Sequence, residues 1–200
     1  MNALIVVDVQ NDFLPGGALA VADGDAVIPV INRLMGEHDF VVATQDWHPA
    51  DHGSFAANHP AANLGEVIDL NGLDQILWPV HCVQGSIGAE FAGKLDEHKF
   101  DAIFQKGTNP EIDSYSGFYD NGRRKSTGLA EWLRDRGVTH VTVVGLATDY
   151  CVRFTAEDAA SEGFCTTVSL AGTRGVELQA GDIARAIEAM ETLGVRICRE

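Results

Sequence analysis

Apolar, β-branched residues gather in six short runs, at residues 3–9, 40–44, 102–105, 141–145, 166–170 and 195–198. Runs this short and this rich in Val and Ile predict strands. Between most of them the apolar positions repeat at helical spacing. Val27, Val30, Ile31 and Leu34 fall on one face of a predicted helix over 26–35, and Leu129, Trp132 and Leu133 on one over 128–136. Further helices are predicted over 152–162 and 183–193. Strands that alternate with helices need crossover connections, which are right-handed and place helices on both faces of a parallel sheet. The pattern therefore predicts an α/β fold, a three-layer α-β-α arrangement around a mostly parallel six-stranded sheet.

Residues 49–99 break this rhythm. They carry turn signals (Asn58-His59-Pro60, Asn63-Leu64-Gly65, Asn71-Gly72) and little periodicity. A loop-rich insertion of this length in a compact fold is seldom idle. No repeat, low-complexity tract or linker interrupts the chain, so residues 1–200 are expected to form a single domain.

Composition narrows the partners. The 200 residues are 46% hydrophobic, enough to enclose one sizeable core, and carry a formal charge of -15. Such an excess of acid repels nucleic acid and anionic membrane surfaces and suits a small neutral or cationic ligand. The apolar run after Met1 is too short to span a bilayer and has no basic segment before it, so a cytoplasmic protein is expected. Cys82, Cys151, Cys165 and Cys198 form no CxxC pair, which argues against both a disulfide framework and a cysteine-based zinc site.

In open α/β sheets, ligands bind beyond the carboxyl ends of the strands, so polar residues that appear as an apolar run stops are the natural candidates. Four such places stand out: Asp8, the pair Asp46 and His48, Lys106, and Cys151 six residues after Gly145. Cys151 falls in the first turn of the helix predicted over 152–162, with Thr148 or Asp149 available as its cap. There the helix dipole and free N–H groups would favour a thiolate and could hold an oxyanion. The alternative is a buried cysteine acting as a small hydrophobe, which fits Cys165 and Cys198 better. Asp8 sets a charge against a core strand, a costly placement unless paired, and Lys106 is its expected partner. A carboxylate base and an orienting cation would complete a cysteine-nucleophile site. Alone, Asp8 could equally tighten the Gln10-Asn11-Asp12 turn and Lys106 could be a surface lysine.

Asp46 and His48, two apart in an extended segment, point the same way, and His81 supplies a second imidazole from the insertion. Mixed oxygen and nitrogen ligands suit a divalent ion, zinc first, with iron and manganese as alternatives. His52, Ser54 and His59 lie close by in sequence; His52 and Ser54 are additional candidate ligands.

Taken in order, Val6-Val7-Asp8-Val9-Gln10-Asn11-Asp12-Phe13, Thr44-Gln45-Asp46-Trp47-His48-Pro49, Trp78-Pro79-Val80-His81-Cys82, Lys106-Gly107 with Ser114-Tyr115-Ser116-Gly117-Phe118, and Gly145-Leu146-Ala147-Thr148-Asp149-Tyr150-Cys151 resemble the nicotinamidases of the isochorismatase-like cysteine hydrolase superfamily. The resemblance implies an Asp8, Lys106, Cys151 triad and metal ligands Asp46, His48 and His81. It further implies Phe13, Trp78 and Tyr150 around a pyridine ring, and an oxyanion hole of the Ala147 and Cys151 N–H groups with a cis peptide leading into Ala147. The implied activity is deamidation of nicotinamide, with pyrazinamide as a second substrate, by an enzyme whose copies could assemble. Two rivals are an amidase of the same superfamily acting on a carbamoyl or ureido compound, and a catalytically silent metal- or ligand-binding module.

Overall fold

The computed structural model describes residues 1–199. Among the described residues there are eight strands: β1 (Asn2–Val7), β2 (Phe40–Asp46), β3 (Val67–Leu70), β4 (Leu73–Ile76), β5 (Ala102–Lys106), β6 (His140–Leu146), β7 (Cys165–Arg174) and β8 (Arg196–Cys198). Four α-helices accompany them: α1 (Ile28–Leu34), α2 (Leu129–Asp135), α3 (Arg153–Ser161) and α4 (Asp182–Thr192). Six strands form one sheet in the order β5-β2-β1-β6-β7-β8, and every pairing within it is parallel.

Alternation along β1 divides the interior in two. Leu4 and Val6 pack with Ile28, Ile31 and Leu34 of α1, whereas Ala3, Ile5 and Val7 pack with Leu129 and Leu133 of α2, Ala156 of α3 and Met190 of α4. Successive strand residues point to opposite faces, so one strand feeds both cores. These are the three layers that the periodicity predicts.

Element ends differ from expectation where chemistry intervenes. β1 stops at Val7 because Asp8 takes φ 49°, a left-handed conformation that Asp tolerates better than most residues. β2 and β5 run past their apolar stretches to include Asp46 and Lys106. α3 begins later than predicted, behind a π-helical turn at Thr148–Val152. The insertion also holds an unexpected antiparallel hairpin, β3 against β4. Its turn is Asn71-Gly72, with φ 53° and 84°, the signature of a tight two-residue hairpin loop. Four-residue strands with mixed polarity on either side gave that turn too little pattern to be read as a hairpin.

Gly145 lets β6 pass β1. It sits opposite Val7 at φ 115°, and a Cβ there would meet the Val7 carbonyl oxygen at 2.1 Å. Gly137 also has positive φ, 67°, but a Cβ there would meet nothing within 4 Å. Gly145→Ala is therefore expected to lower the unfolding free energy by about 3 kcal/mol or more, through overpacking added to backbone strain. Gly137→Ala should cost only about 1 kcal/mol, near the low end for strain alone. Denaturant titration of both variants measures the contrast, and equal losses would contradict the close-approach argument.

Candidate active site

β1, β2 and β5 lie side by side and parallel, so their carboxyl ends open on one edge of the sheet, with Asp46 directly opposite Lys106 in the β2–β5 register. The Lys106 side chain is fully buried. Its Nζ stands 2.7 Å from Asp46 Oδ1, 2.8 Å from Asp8 Oδ2, 2.8 Å from the Ser114 carbonyl and 3.5 Å from Cys151 Sγ. Burial works against the charged amine, but the carboxylates of Asp46 and Asp8 outweigh it and hold the Lys106 pKa well above the usual lysine value.

The two carboxyls diverge. Burial pushes Asp46 up, yet Lys106 and His48 more than reverse this and hold it well below the ordinary carboxylate range. At Asp8 burial prevails over the attraction of Lys106, and the pKa is raised. Neighbouring titratable groups driven apart in this way take different roles, one a fixed charge and the other a proton carrier. Asp8 Oδ1 accepts the Thr44 hydroxyl at 2.6 Å, whereas Oδ2 has the ion-pair contact with Lys106 and no hydrogen bond among the described residues. Asp8 thus faces the lysine rather than tightening the adjacent turn.

Cys151 occupies the π-helical turn ahead of α3 and is buried. Three expectations need correction. Cys165 and Cys198, the cysteines expected to be buried hydrophobes, are the two exposed ones. Neither Thr148 nor Asp149 caps the turn; Ala147 precedes it without a side-chain cap, and the Asp149 carboxylate instead accepts the Val176 and Glu177 N–H groups at 2.9 and 2.8 Å. Nor does the helix start favour a resting thiolate. Burial, with the charges of Asp8 and Asp46 behind it, holds the thiol well above its usual pKa despite the opposing pull of Lys106. At rest the group is therefore a thiol. The peptide between Leu146 and Ala147 is cis, as the resemblance implies.

Beside this cluster, His48 and His81 converge on Asp46, their Nε2 atoms 3.4 and 3.7 Å from Asp46 Oδ2. Each ring is anchored through its other nitrogen, His48 Nδ1 to the Gly107 carbonyl at 2.9 Å and His81 Nδ1 to the Pro79 carbonyl at 2.7 Å. A carbonyl can only accept, so each Nδ1 carries a proton and each Nε2 faces the carboxylate oxygen, the orientation of a metal-ligating histidine; burial opposes a charge on His48, but the Asp46 carboxylate outweighs it and raises the His48 pKa. Gly107 permits the anchor, since a Cβ there would meet His48 Cε1 at 2.3 Å. Three buried donors thus face one point, a set that fits a divalent ion. His52 is also buried, with its ring centroid 4.3 Å from that of His48, and its Nδ1 meets Ser54 Oγ at 2.7 Å. Burial pushes the His52 pKa down to about 4. His59 turns away to the Gly53 carbonyl.

Asp46, His81, Ala147 and Cys151 line a narrow cleft whose walls include Phe13, Trp78 and Tyr150. Trp78 meets Tyr150 edge-on with centroids 5.0 Å apart. The cleft also contains Tyr115 and Asp113, which sequence reasoning did not assign. The Tyr115 hydroxyl accepts the Trp78 Nε1–H at 3.0 Å and the Gln75 amide at 3.2 Å, fixing the indole. Gln10 was also missed: its buried amide clamps the Asp46 peptide, accepting from its N–H and donating to its carbonyl, both at 2.8 Å. Tyr115 lies in the Ser114–Phe118 segment that carries the resemblance and Gln10 two residues from Asp8, so nearness to a candidate residue was the one available signal.

The isochorismatase domain model matches residues 2–198. The Escherichia coli nicotinamidase is 48% identical over 98% of this chain and 93% of its own length. Among solved structures, the Acinetobacter baumanii nicotinamidase/pyrazinamidase superposes with a TM-score of 0.96 at 47% identity, covering 99% of this chain and 95% of that one. A pyrazinamidase of Pyrococcus horikoshii, solved in complex with zinc, gives 0.81 at 38% identity over 100% and 99%.

The shared ammonium makes a signed prediction about stability. Lys106 has a raised folded pKa, so its contribution is complete below its ordinary value of 10.5 and is lost as pH rises through the folded pKa. In Lys106→Met the two buried carboxylates lose their cation, and the expected destabilisation of the chelator-treated protein at pH 7 is about 3–5 kcal/mol. Without Lys106 both carboxyls should titrate above their unfolded values, so the folded form takes up protons as pH falls. The loss relative to wild type should therefore be smaller at pH 5 than at pH 7. Urea titrations at the two pH values check this, and a larger loss at pH 5 would contradict it.

Proposed function

The chain belongs to the isochorismatase family, among its nicotinamidase members, and from that premise we propose that this hydrolase converts nicotinamide to nicotinate and ammonia, and deamidates pyrazinamide by the same route. The observation that carries the reading is the contact of one buried ammonium with Asp8, Asp46 and Cys151.

Asp8 Oδ2 takes the proton from the Cys151 thiol, and the sulfur attacks the amide carbon. Lys106, 3.5 Å from Sγ, stabilises the negative charge on sulfur as the proton leaves. The Ala147 and Cys151 N–H groups hold the oxyanion. Asp8 returns the proton to the departing nitrogen, the C–N bond breaks, and ammonia leaves a thioester on Cys151. Water, deprotonated by Asp8, then attacks the thioester carbonyl and releases nicotinate with the thiol restored. Phe13, Trp78 and Tyr150 hold the aromatic ring, and Tyr115 holds Trp78.

Asp46, His48 and His81 hold one divalent ion, zinc by preference. That ion supplies a Lewis-acid site for the pyridine nitrogen. Support comes from the orientation of both Nε2 atoms and from the zinc complex of the Pyrococcus horikoshii relative. No helix among the described residues is long and apolar enough to cross a membrane. We place this activity in one domain and in the cytoplasm. A silent binding module fits poorly with a proton acceptor, cation and thiol gathered in one buried cluster behind the cleft.

Ammonia release provides the test. Cys151→Ala is expected to lower kcat for nicotinamide by roughly 10⁴-fold or more, the scale seen when a nucleophile is removed. Benzamide keeps the amide and ring size but lacks the ring nitrogen, and a site built for a polar partner rejects an analogue without it by roughly 10⁴–10⁵. Nicotinamide should therefore exceed benzamide in kcat/KM by at least about a thousandfold, a discount on that range, and His81→Ala should remove most of the difference. Comparable turnover of the two amides by zinc-loaded protein would refute the ring-anchoring role and return the chain to a broader amidase activity.

A further inference from the structure

We propose that Asp149 is a positioning residue for substrate binding: its carboxylate grips the loop that follows β7 and so holds Val176 in the wall of the cleft, where Val176 packs against the bound amide. The proposal rests on the reading of that cleft as the nicotinamide site.

Asp149 lies two residues before Cys151 in the π-helical turn and is buried. A carboxylate in such a place is costly unless its oxygens are hydrogen-bonded. Here each oxygen takes one backbone N–H from the same loop, Oδ1 that of Val176 at 2.9 Å and Oδ2 that of Glu177 at 2.8 Å. Successive N–H groups at a left-handed residue form a concavity that suits an anion, and Glu177 has φ 51°. The Glu177 side chain in turn accepts the Gly181 N–H at 2.9 Å, which closes the loop against the start of α4. Gly175 permits the close approach, since a Cβ there would meet Ile183 Cγ1 at 2.5 Å and Asp149 Oδ1 at 3.0 Å.

What this grip places at the site is Val176. Its side chain lines the cleft with Phe13, Leu19, Ala147 and Cys151, and it packs against the core cluster that includes Phe13 and Ala147. Its contribution to the site is apolar fit. One turn therefore carries both the nucleophile and the hold on part of the cleft wall. The contacts among Asp8, Lys106 and Cys151 do not involve Asp149, so a loosened loop should weaken substrate binding while the thiol cluster stays in place. Asp149→Asn loosens it with little change of shape: the amide offers one acceptor oxygen and one N–H donor where the carboxylate offers two acceptors, and one loop N–H then faces a donor.

Steady-state ammonia release from nicotinamide by zinc-loaded protein, with amide hydrogen exchange at Val176 and Glu177, tests this. In Asp149→Asn, KM should rise about 10-fold or more, the scale of one hydrogen bond to a charged group. The accompanying fall in kcat should stay below about threefold, as when binding common to ground and transition states is lost. Exchange at the two amides should quicken by about the same factor as KM rises. Val176→Ala should also raise KM about 10-fold, the cost of methyl groups lost from an apolar pocket. The double variant should be little worse than the poorer single one, because both changes remove the same wall. KM increases that multiply would overturn the proposal, as would a large fall in kcat with KM unaltered in Asp149→Asn, which would make Asp149 a support of the thiol turn. Should Asp149→Asn fail to fold, unprotected Val176 and Glu177 amides in the wild type, or an unaltered KM in Val176→Ala, would each overturn it. A wild type that releases no ammonia from nicotinamide removes the functional reading and this inference with it; an active wild type with unaltered KM in both variants overturns this inference alone.

Discussion

One buried ammonium organises this molecule. Lys106 Nζ sits among two carboxylates, a carbonyl and a thiol with no exposure of its side chain, and it is the cation that lets Asp46 stay buried as a charge. An isolated carboxylate taken from water carries a penalty large enough to neutralise it. Asp46 nevertheless stays ionised here, because Lys106 and His48 outweigh its burial. The parallel sheet makes this possible. Adjacent strands deliver Asp8, Asp46 and Lys106 to one edge, and the register places Asp46 and Lys106 opposite each other.

Asp46 also ties two sites together. Its Oδ1 meets Lys106 and its Oδ2 faces the two imidazoles, so the charge that would hold a metal is the one that steadies the lysine of the thiol site. Gln10 fixes the Asp46 peptide from β1's side, and Gly107, next to Lys106, anchors His48.

The parts legible in the sequence were those with a local signature. Alternating apolar runs and helical spacing gave the layers, and charges at the ends of runs pointed to Asp8, Asp46, Lys106 and Cys151 before any contact was visible. What escaped depends on groups distant in sequence. The protonation of Cys151 follows from its burial against Asp8 and Asp46, which a helix-start argument cannot include. Tyr115 gains its role from Trp78, 37 positions away, and Gln10 from Asp46, 36 away. The π-helical turn and the hairpin at Asn71-Gly72 were missed for another reason: each is too short for periodicity to register.

If Asp8, Lys106 and Cys151 work through one shared charge, removal of either partner of the thiol should disable the same step. The most direct test is a double-mutant cycle of Asp8→Asn and Lys106→Met, reading single-turnover thioester formation from nicotinamide by quenched-flow mass spectrometry. Groups that act as a unit are strongly non-additive. Each single variant should slow the step by orders of magnitude, and the double variant should be little slower than the worse single one. Losses that simply multiply would show that the two residues act independently and would contradict the account.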